Sequence, residues 1–173
     1  MGGGRLIRRE RSGDAARIRA VNLAAFEGSA EADIVDRLRA AHAPQLSLVA
    51  AFGSEIVGHI LFSEVTVGDE RAATGMGLAP MAVVPRHQNR GVGSALVRRG
   101  LEILRGEGCP FVVVLGHPGY YPRFGFVPAS RYRIESEYEG VPDEAFMALE
   151  LAPGGLEGVS GVARYRREFG VEG

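Results

Sequence analysis

The chain has 173 residues, of which 46 % are hydrophobic and 24 % are charged, and its formal net charge is −1 at pH 7. One hydrophobic core organises a chain of this length, so we expect a single soluble domain over residues 1–173, with its core at about 5–152 and a C-terminal strand at about 159–165. We expect no nucleic-acid partner, since phosphate binding requires clustered positive charge. No segment has the apolar length of a membrane helix or a signal peptide, so we expect no membrane contact and a cytoplasmic location.

Two residue types narrow the chemistry that the chain itself offers. All 20 basic residues are arginines, so the protein has no lysine side chain that could be acetylated. Its single cysteine, Cys109, permits no internal disulfide. A nucleophilic cysteine needs a partnered histidine, and Cys109 stands between Gly108 and Pro110, so we interpret it as a buried bystander at a turn.

The first part of the chain has the pattern of a short strand followed by two helices. Residues 6–8 predict the strand, and Ser12 and Asp14 are possible caps for the helix that follows. Ser29 is a possible cap for a second helix at about 31–41. The apolar residues of the two helix faces are Ile18, Val21 and Phe26 in the first helix and Ile34, Val35 and Leu38 in the second.

Apolar and β-branched runs in the rest of the chain predict a mixed sheet with helices packed on it. Residues 46–52 and 56–67 predict antiparallel strands joined by a turn at Gly53. The continuous apolar run at 111–115 is typical of a strand that is covered on both faces and paired in parallel. A helix is predicted at 92–107, and the remaining strands are expected at 78–84, 145–151 and 159–165. These elements indicate one α/β domain.

A glycine-containing loop between a predicted strand and a predicted helix is the chemically most informative segment. Gly91 and Gly93 lack side chains, so a ligand can approach the backbone there. The first N–H groups of the helix are unpaired and the helix dipole adds positive potential, so together they form a site for anions. Arg90 supplies a positive charge and Ser94 a hydroxyl donor. The loop would therefore hold a pyrophosphate without a metal.

Three other interpretations of this loop compete with the phosphate site. Two glycines can also merely relieve crowding where a strand turns into a helix. A Rossmann dinucleotide site is disfavoured because Leu96 stands where its third glycine is required. A P-loop is disfavoured because the chain has no Gly-Lys-Ser/Thr. What remains is a phosphate-binding loop of another kind.

Two motifs in the chain resemble those of a known family. The pattern Gln88-x-x-Gly91-x-Gly93, directly after an apolar strand, resembles the acetyl-CoA signature of the GNAT superfamily of N-acetyltransferases. Residues 120–126 are similar to the family's Tyr-x-x-x-Gly-Phe element. The chain also resembles a subgroup of predicted bacterial acetyltransferases, the YhbS-like proteins, over nearly its whole length, most clearly at residues 115–118 and 29–39.

The resemblance implies a GNAT fold, in which helices flank a mixed central sheet in a three-layer α/β/α arrangement. It also implies acetyl-CoA as co-substrate, no metal, and direct acetyl transfer to a primary amine of a small molecule or peptide in a ternary complex. It implies that Met81, Ala82 and Val83 offer main-chain groups to the pantetheine arm, whose amides would pair with them much as a neighbouring strand would. The other residues implied to bind the co-substrate are Gln88, Asn89, Arg90, Gly91, Val92, Gly93, Ser94 and Tyr121.

The resemblance also implies two catalytic roles. Tyr121, four residues before the glycine of Gly-Phe, would donate a proton to the departing thiolate. The main-chain N–H of Val83 would polarise the thioester carbonyl. The alternative for Tyr121 is a packed aromatic ring with a satisfied hydroxyl. The general base stays open: it acts directly, it acts through a water molecule, or the reaction needs none. The candidate residues are Glu64, His117, Glu135, Glu137, Glu139, Asp143 and Glu144.

Three classes of function fit these patterns to different degrees. An amine acetyltransferase is the first, and a catalytically silent module that binds or senses acyl-CoA is the alternative. A protein-interaction domain, the third, would have no affinity for coenzyme A. The acceptor pocket is expected at the loops around 26–31 and 137–146, where acidic residues would attract a cationic amine or would form a solvated loop. Either a monomer or a homodimer is expected.

Overall fold

A computed structural model describes residues 4–69 and 71–170. The chain forms two compact units, which we call the first unit and the second unit. Of the described residues, the first unit contains 4–62, 80–100 and 168–170, and the second unit contains 63–69, 71–79 and 101–167. The single domain expected over the whole chain stays a prediction. Among the described residues, none of the helices combines the length and the apolar character needed to cross a membrane.

Three α-helices and nine strands are the regular elements of the described residues. The helices are α1 (Ala15–Ala25), α2 (Ala30–Ala40) and α3 (Val92–Gly106). The strands are β1 (Arg5–Arg9), β2 (Gln45–Phe52), β3 (Glu55–Val67), β4 (Ala73–Val83), β5 (Phe111–Leu115), β6 (Val127–Pro128), β7 (Ile134–Ser136), β8 (Phe146–Glu150) and β9 (Gly161–Tyr165). Every helix and strand predicted from the sequence is present, although β4 begins at Ala73 rather than at 78.

β1, β2, the first part of β3 and the end of β4 form the sheet of the first unit. β1 pairs antiparallel with β2, which places Arg5 opposite Phe52. β2 and β3 are neighbours in the sheet and are joined at Gly53, whose φ of +58° lies in the left-handed region that favours glycine. The predicted hairpin is therefore confirmed. Ile18 of α1 and Leu38 of α2 are fully buried, as expected for the apolar faces of these helices.

The helix caps predicted from the sequence are wrong in their hydrogen bonds. Asp14 precedes α1, but its φ of −81° and ψ of −15° are helical, and its side chain makes no cap hydrogen bond. Its carboxylate instead accepts the N–H of Arg11 at 2.7 Å and pairs with Arg8 at 2.7 Å. Ser29 precedes α2, and its hydroxyl donates to Asp33 Oδ2 at 2.8 Å instead of accepting from the helix backbone.

A chain of hydrogen bonds runs through the interior of the first unit. His59 is fully buried, with its Nδ1 at 3.2 Å from Asn22 Nδ2 and its Nε2 at 2.9 Å from Ser47 Oγ. Ser47 Oγ lies 3.3 Å from Glu10 Oε1, which pairs with Arg39 at 2.6 Å. Because the Asn22 amide nitrogen is a donor, His59 accepts at Nδ1 and carries its proton at Nε2. Burial, aided by the charge of Arg39, lowers the pKa of His59 to about 3, so its ring is neutral.

β5 lies between β4 and β8 in the second unit. It pairs parallel with β4, with Met76 opposite Val112, and antiparallel with β8, with Phe111 opposite Glu150. The parallel pairing predicted for 111–115 is thus confirmed, and the sheet is mixed. β9 pairs antiparallel with β3 and parallel with β7. The strands that were not predicted, β6 and β7, have two and three residues, too few for a periodic pattern.

The core of the second unit collects side chains from β3, β5, β7, β8 and β9 and from two residues outside the strands. Its buried members are Val65, Val67, Phe111, Val113, Ala129, Ile134, Phe146, Ala148, Leu156 and Ala163. Each large apolar side chain that is removed from water in such a core contributes roughly 1.5–3 kcal/mol. Burial of Ile134 and Phe146 therefore holds β7 and the start of β8 in place.

Candidate active site

The loop that connects β4 to α3 is held at its start by side chains of the first unit. It begins with a 3₁₀ turn at Pro85–His87. Arg86 pairs with Glu55 at the start of β3. The ring of His87 stacks on Phe52 at the end of β2, with centroids 5.1 Å apart and planes inclined by 26°. These contacts fix the loop against the β2–β3 hairpin.

Gln88 supports the end of β4. Its side-chain amide donates to the carbonyl of Val83, the last residue of β4, at 2.9 Å. The next N–H along the chain, that of Val84, donates to the Val57 carbonyl at 2.9 Å. Gln88 therefore orients the strand end along which the pantetheine arm is expected. This contact favours an indirect role for Gln88 in co-substrate binding. It uses the carbonyl of Val83 and not its N–H, which is the catalytic group that the resemblance implies.

The backbone immediately before α3 alternates in hand. Asn89 has a φ of +60° and Gly91 a φ of +80°, whereas Arg90 between them is not left-handed. Successive residues of opposite hand turn their N–H groups towards one point, which makes a concave site for anions. All three residues are exposed, and the Ala95 N–H donates to the Gly91 carbonyl at 3.0 Å as the helix begins. This backbone is of the type that binds anions, and the anion site itself stays a prediction.

A second arginine lies beside this loop, and no sequence pattern pointed to it. The Nη1 atom of Arg5 is 3.9 Å from the point where a Cβ on Gly91 would lie. Arg5 is exposed, and the pairing of β1 with β2 places it opposite Phe52, on which His87 stacks. Its position follows from the register of two strands that are distant in sequence. Arg5 and Arg90 therefore both offer positive charge to an anion at the loop.

The other residues predicted to bind the co-substrate differ in exposure. Ala82 and Val92 are buried, so only their main-chain groups can face a ligand. The side chain of Val92 packs towards β3, since a Cβ on Gly58 would lie 3.0 Å from its Cγ1. Three further predicted residues are partly buried and lie on the same strand end or in the first turn of α3: Met81, Gly93 and Ser94.

Tyr121 is held in the second unit by a short turn and by aromatic neighbours. It begins a 3₁₀ turn, Tyr121–Phe124, which ends at Gly125 with a φ of +100°. Its side chain is almost fully buried, and its ring meets those of Tyr120 and Phe126 edge-on, with centroids 5.0 and 5.7 Å away. The Tyr-x-x-x-Gly-Phe element thus holds the ring of Tyr121 in one position.

Gly116 is required by the position of the Tyr121 ring. A Cβ on Gly116 would lie 2.4 Å from Tyr121 Cε2, which is closer than two carbon atoms can approach. Gly116 directly follows β5, and its N–H donates to the Ala145 carbonyl at 2.9 Å. Gly119, in the same loop, has no atom within 4 Å of the corresponding position. The absence of a side chain at Gly116 therefore determines where the Tyr121 ring lies.

The surroundings of Tyr121 keep its phenol protonated. Burial, with a further contribution from Tyr120, raises the pKa of Tyr121 to about 12. Complete proton transfer from such a phenol to a thiolate of ordinary pKa, about 8.5, costs about 5 kcal/mol. Tyr121 therefore suits hydrogen-bond donation to charge that develops on a departing sulfur, and its proton is present at every physiological pH.

Glu137 has the most specific contacts among the general-base candidates. Its Oε1 accepts the N–H of Tyr165 at 3.0 Å. After burial, its charge helps to raise the pKa of Tyr138 and of Tyr165, and Tyr121 contributes to the same shift at Tyr165. Glu137 and Tyr121 therefore act electrostatically on one common phenol. Glu64 is partly buried, and the exposed candidates are His117, Glu135, Glu139, Asp143 and Glu144.

Cys109 has the surroundings of an unreactive thiol. It is half-buried, and its Sγ donates to the carbonyl of Phe111 at 3.3 Å. Burial raises the pKa of the thiol, so the thiolate that a nucleophile requires is disfavoured. These contacts support the interpretation of Cys109 as a bystander.

Comparison with known sequences identifies the family. The Acetyltransferase (GNAT) family profile matches residues 16–126, more than half of the chain. The chain is 36 % identical over 165 residues to the uncharacterized N-acetyltransferase YhbS of Escherichia coli K12, covering 95 % of this chain and 98 % of that protein. It is 48 % identical over 120 residues to the uncharacterized N-acetyltransferase YjhQ of the same strain, covering 68 % of this chain and 66 % of that protein.

Solved structures of related proteins agree with this. The crystal structure of YhbS from Escherichia coli in complex with CoA matches with a TM-score of 0.91 and 35 % identity, covering 98 % of this chain and 93 % of that one. A GNAT family acetyltransferase from Brucella melitensis in complex with acetyl-CoA matches with a TM-score of 0.80 and 38 % identity, covering 96 % and 98 %. The GNAT fold that the resemblance implies is therefore confirmed. The chain belongs to the GNAT family of acetyl-CoA dependent N-acetyltransferases.

Proposed function

We propose that the protein transfers the acetyl group of acetyl-CoA directly to a primary amine of a small molecule or peptide, in a ternary complex. The observation that carries this proposal is the exposed loop of alternating hand before α3, where Asn89 and Gly91 have positive φ values. Such a backbone binds a diphosphate without a metal, because its N–H groups and the helix dipole supply the positive potential.

Acetyl-CoA would bind along the first unit from the loop to the end of β4. The diphosphate would contact the N–H groups of residues 89–94, with Arg5 and Arg90 as the neighbouring cations. The pantetheine arm would follow the main chain of residues 81–83, at the strand end that Gln88 supports. The related acetyltransferases solved with CoA and with acetyl-CoA support this choice of co-substrate.

The proposed reaction forms one bond and breaks one. The lone pair of the neutral amine attacks the thioester carbonyl, the C–N bond forms, and the C–S bond breaks with its electron pair on sulfur. The Val83 N–H stabilises the charge on the carbonyl oxygen, and the Tyr121 hydroxyl donates a hydrogen bond to the departing thiolate, which then takes a proton from solvent. Glu137 is the candidate base that accepts the proton lost by the amine nitrogen and passes it to solvent.

Binding and turnover together test this proposal. Tyr121→Phe removes the proton donor and keeps the ring, so we expect thiol release with an accepted amine to slow at least about tenfold. Coenzyme A affinity, measured by calorimetry, should not change. A silent acyl-CoA binding module would bind acetyl-CoA and release no thiol with any amine. Unchanged turnover in Tyr121→Phe would remove the acid role, and absence of thermal stabilisation by acetyl-CoA would refute the binding site itself.

A further inference from the structure

The second unit contains a cavity of about 310 Å³, lined by β7, the start of β8 and the segment between them. Its apolar surface includes Ile134, Val141 and Phe146, of which Ile134 and Phe146 are buried core residues. Tyr138 contributes an aromatic ring. The volume is at the lower end of the roughly 300–1,000 Å³ that is usual for small-molecule sites. The cavity therefore fits a small ligand with an apolar part.

Two carboxylates, those of Glu135 and Asp143, line the same cavity. Neither forms an ion pair within residues 4–69 and 71–170. The segment 134–146 contains five acidic residues and no basic one. The two carboxylates therefore bring negative charge to the lining of the cavity, which favours a cationic ligand.

The cavity adjoins the residues that seat Tyr121. The N–H of Gly116, against which the Tyr121 ring lies, donates to the carbonyl of the residue directly before Phe146. Tyr138, which lines the cavity, has its ring centroid 5.9 Å from that of Tyr165. The lining of the cavity is therefore connected to the ring of Tyr121 through Gly116 and the start of β8.

We propose that this cavity binds the acceptor and selects a small molecule with two amines joined by an apolar spacer, an inference that rests on the acetyl transfer proposed above. One amine reaches Tyr121, loses its proton and accepts the acetyl group. The second stays protonated between Glu135 and Asp143, and the spacer packs on Ile134 and Phe146. A monoamine of the same length lacks the charged contact and binds more weakly.

Buried apolar residues distinguish this cavity from an acidic loop in solvent. A solvated run of carboxylates attracts cations of any shape, and each exposed ion pair changes affinity by at most a few-fold. Here the exposed Glu135 and Asp143 stand beside the buried side chains of Ile134 and Phe146. Charge and spacer are therefore recognised together, which makes the length of the diamine matter.

Matched amines provide the first test. Rates of thiol release with 1,4-diaminobutane and 1,5-diaminopentane are compared with those of butylamine and pentylamine at equal concentrations of free base. We expect the KM of each diamine to be at least about tenfold below that of its monoamine, and the difference to shrink in high salt. Equal KM values within each pair would overturn the inference.

Charge-neutralising variants locate the contact. Glu135→Gln and Asp143→Asn should each raise the KM of the diamine about threefold and leave that of the monoamine unchanged. Glu139→Gln and Glu144→Gln are matched controls, because these acids belong to the same segment but do not line the cavity. If the controls raised the diamine KM as much as the lining variants, the charge of the whole loop would explain the preference and the cavity would not.

Calorimetry with 1,5-diaminopentane separates this inference from the proposed acetyl transfer. If no amine releases thiol although acetyl-CoA binds, the transfer proposal fails. The proposal that the cavity binds a diamine is then tested by diamine binding alone. Binding that weakens in Glu135→Gln but not in Glu139→Gln supports the cavity. No heat of binding with the native protein, with or without coenzyme A, overturns it.

Discussion

His59 makes the folded protein sensitive to acid. It is fully buried, and burial aided by the charge of Arg39 lowers its pKa to about 3 from the value of 6.5 that it regains in the unfolded chain. Between these two values the unfolded chain binds a proton that the folded chain does not. The free energy of unfolding therefore falls as the pH drops below 6.5 and continues to fall until about pH 3. At pH 5, about 1.5 pH units below the unfolded pKa, the loss is about 2 kcal/mol.

Urea denaturation at pH 7.5 and pH 5 measures this loss. His59→Gln is the reference, because its amide can replace the hydrogen bonds to Asn22 and Ser47 and takes up no proton. We expect the native protein to lose about 2 kcal/mol more than the variant between the two pH values. His59→Asn serves as a second reference if Gln packs poorly. Equal losses in the native protein and in both variants would show that His59 does not titrate on unfolding.

Three further changes act on Tyr121 and on the loop before α3. Gly116→Ala places a Cβ 2.4 Å from the Tyr121 ring, so kcat should fall at least about tenfold. Gly119→Ala is the control, because no atom lies within 4 Å of its Cβ position, and kcat should not change. Equal kcat values for the two variants would contradict this. Because the pKa of Tyr121 is about 12, kcat/KM should rise with pH as the amine loses its proton and should not decline below about pH 10; a descending limb there would refute the acid assignment. Arg5→Gln should weaken acetyl-CoA binding about threefold in calorimetry and reduce its salt dependence, while Arg71→Gln, an exposed control, should not.

Features with a local signal could be predicted from the sequence. The continuous apolar run of β5 and the helical period of α3 are set by burial within each element, and both elements lie where they were expected. Gly91 was identified because a ligand must approach the backbone, and the structure adds a φ of +80° that favours glycine there. The local chemistry of the anion site is thus contained in a few consecutive residues.

Features that depend on contacts between distant segments could not be predicted. Arg5 lies beside Gly91 only because β1 pairs with β2 in one register. The need for glycine at Gly116 arises from the ring of Tyr121, which a turn brings back against the end of β5. Asp14 has a residue type that favours a helix cap, but an arginine of β1 takes its carboxylate instead. In each case tertiary contact overrides a local preference.

The distribution of tyrosines gives the protein a built-in optical probe. The chain has no tryptophan, and its five tyrosines, at positions 120, 121, 132, 138 and 165, all belong to the second unit. Tyrosine fluorescence of the protein therefore originates in that unit alone. Tyr121 is the proposed donor to the departing sulfur, and Tyr138 lines the cavity. Quenching on addition of an amine would thus report occupancy of the acceptor side without any label.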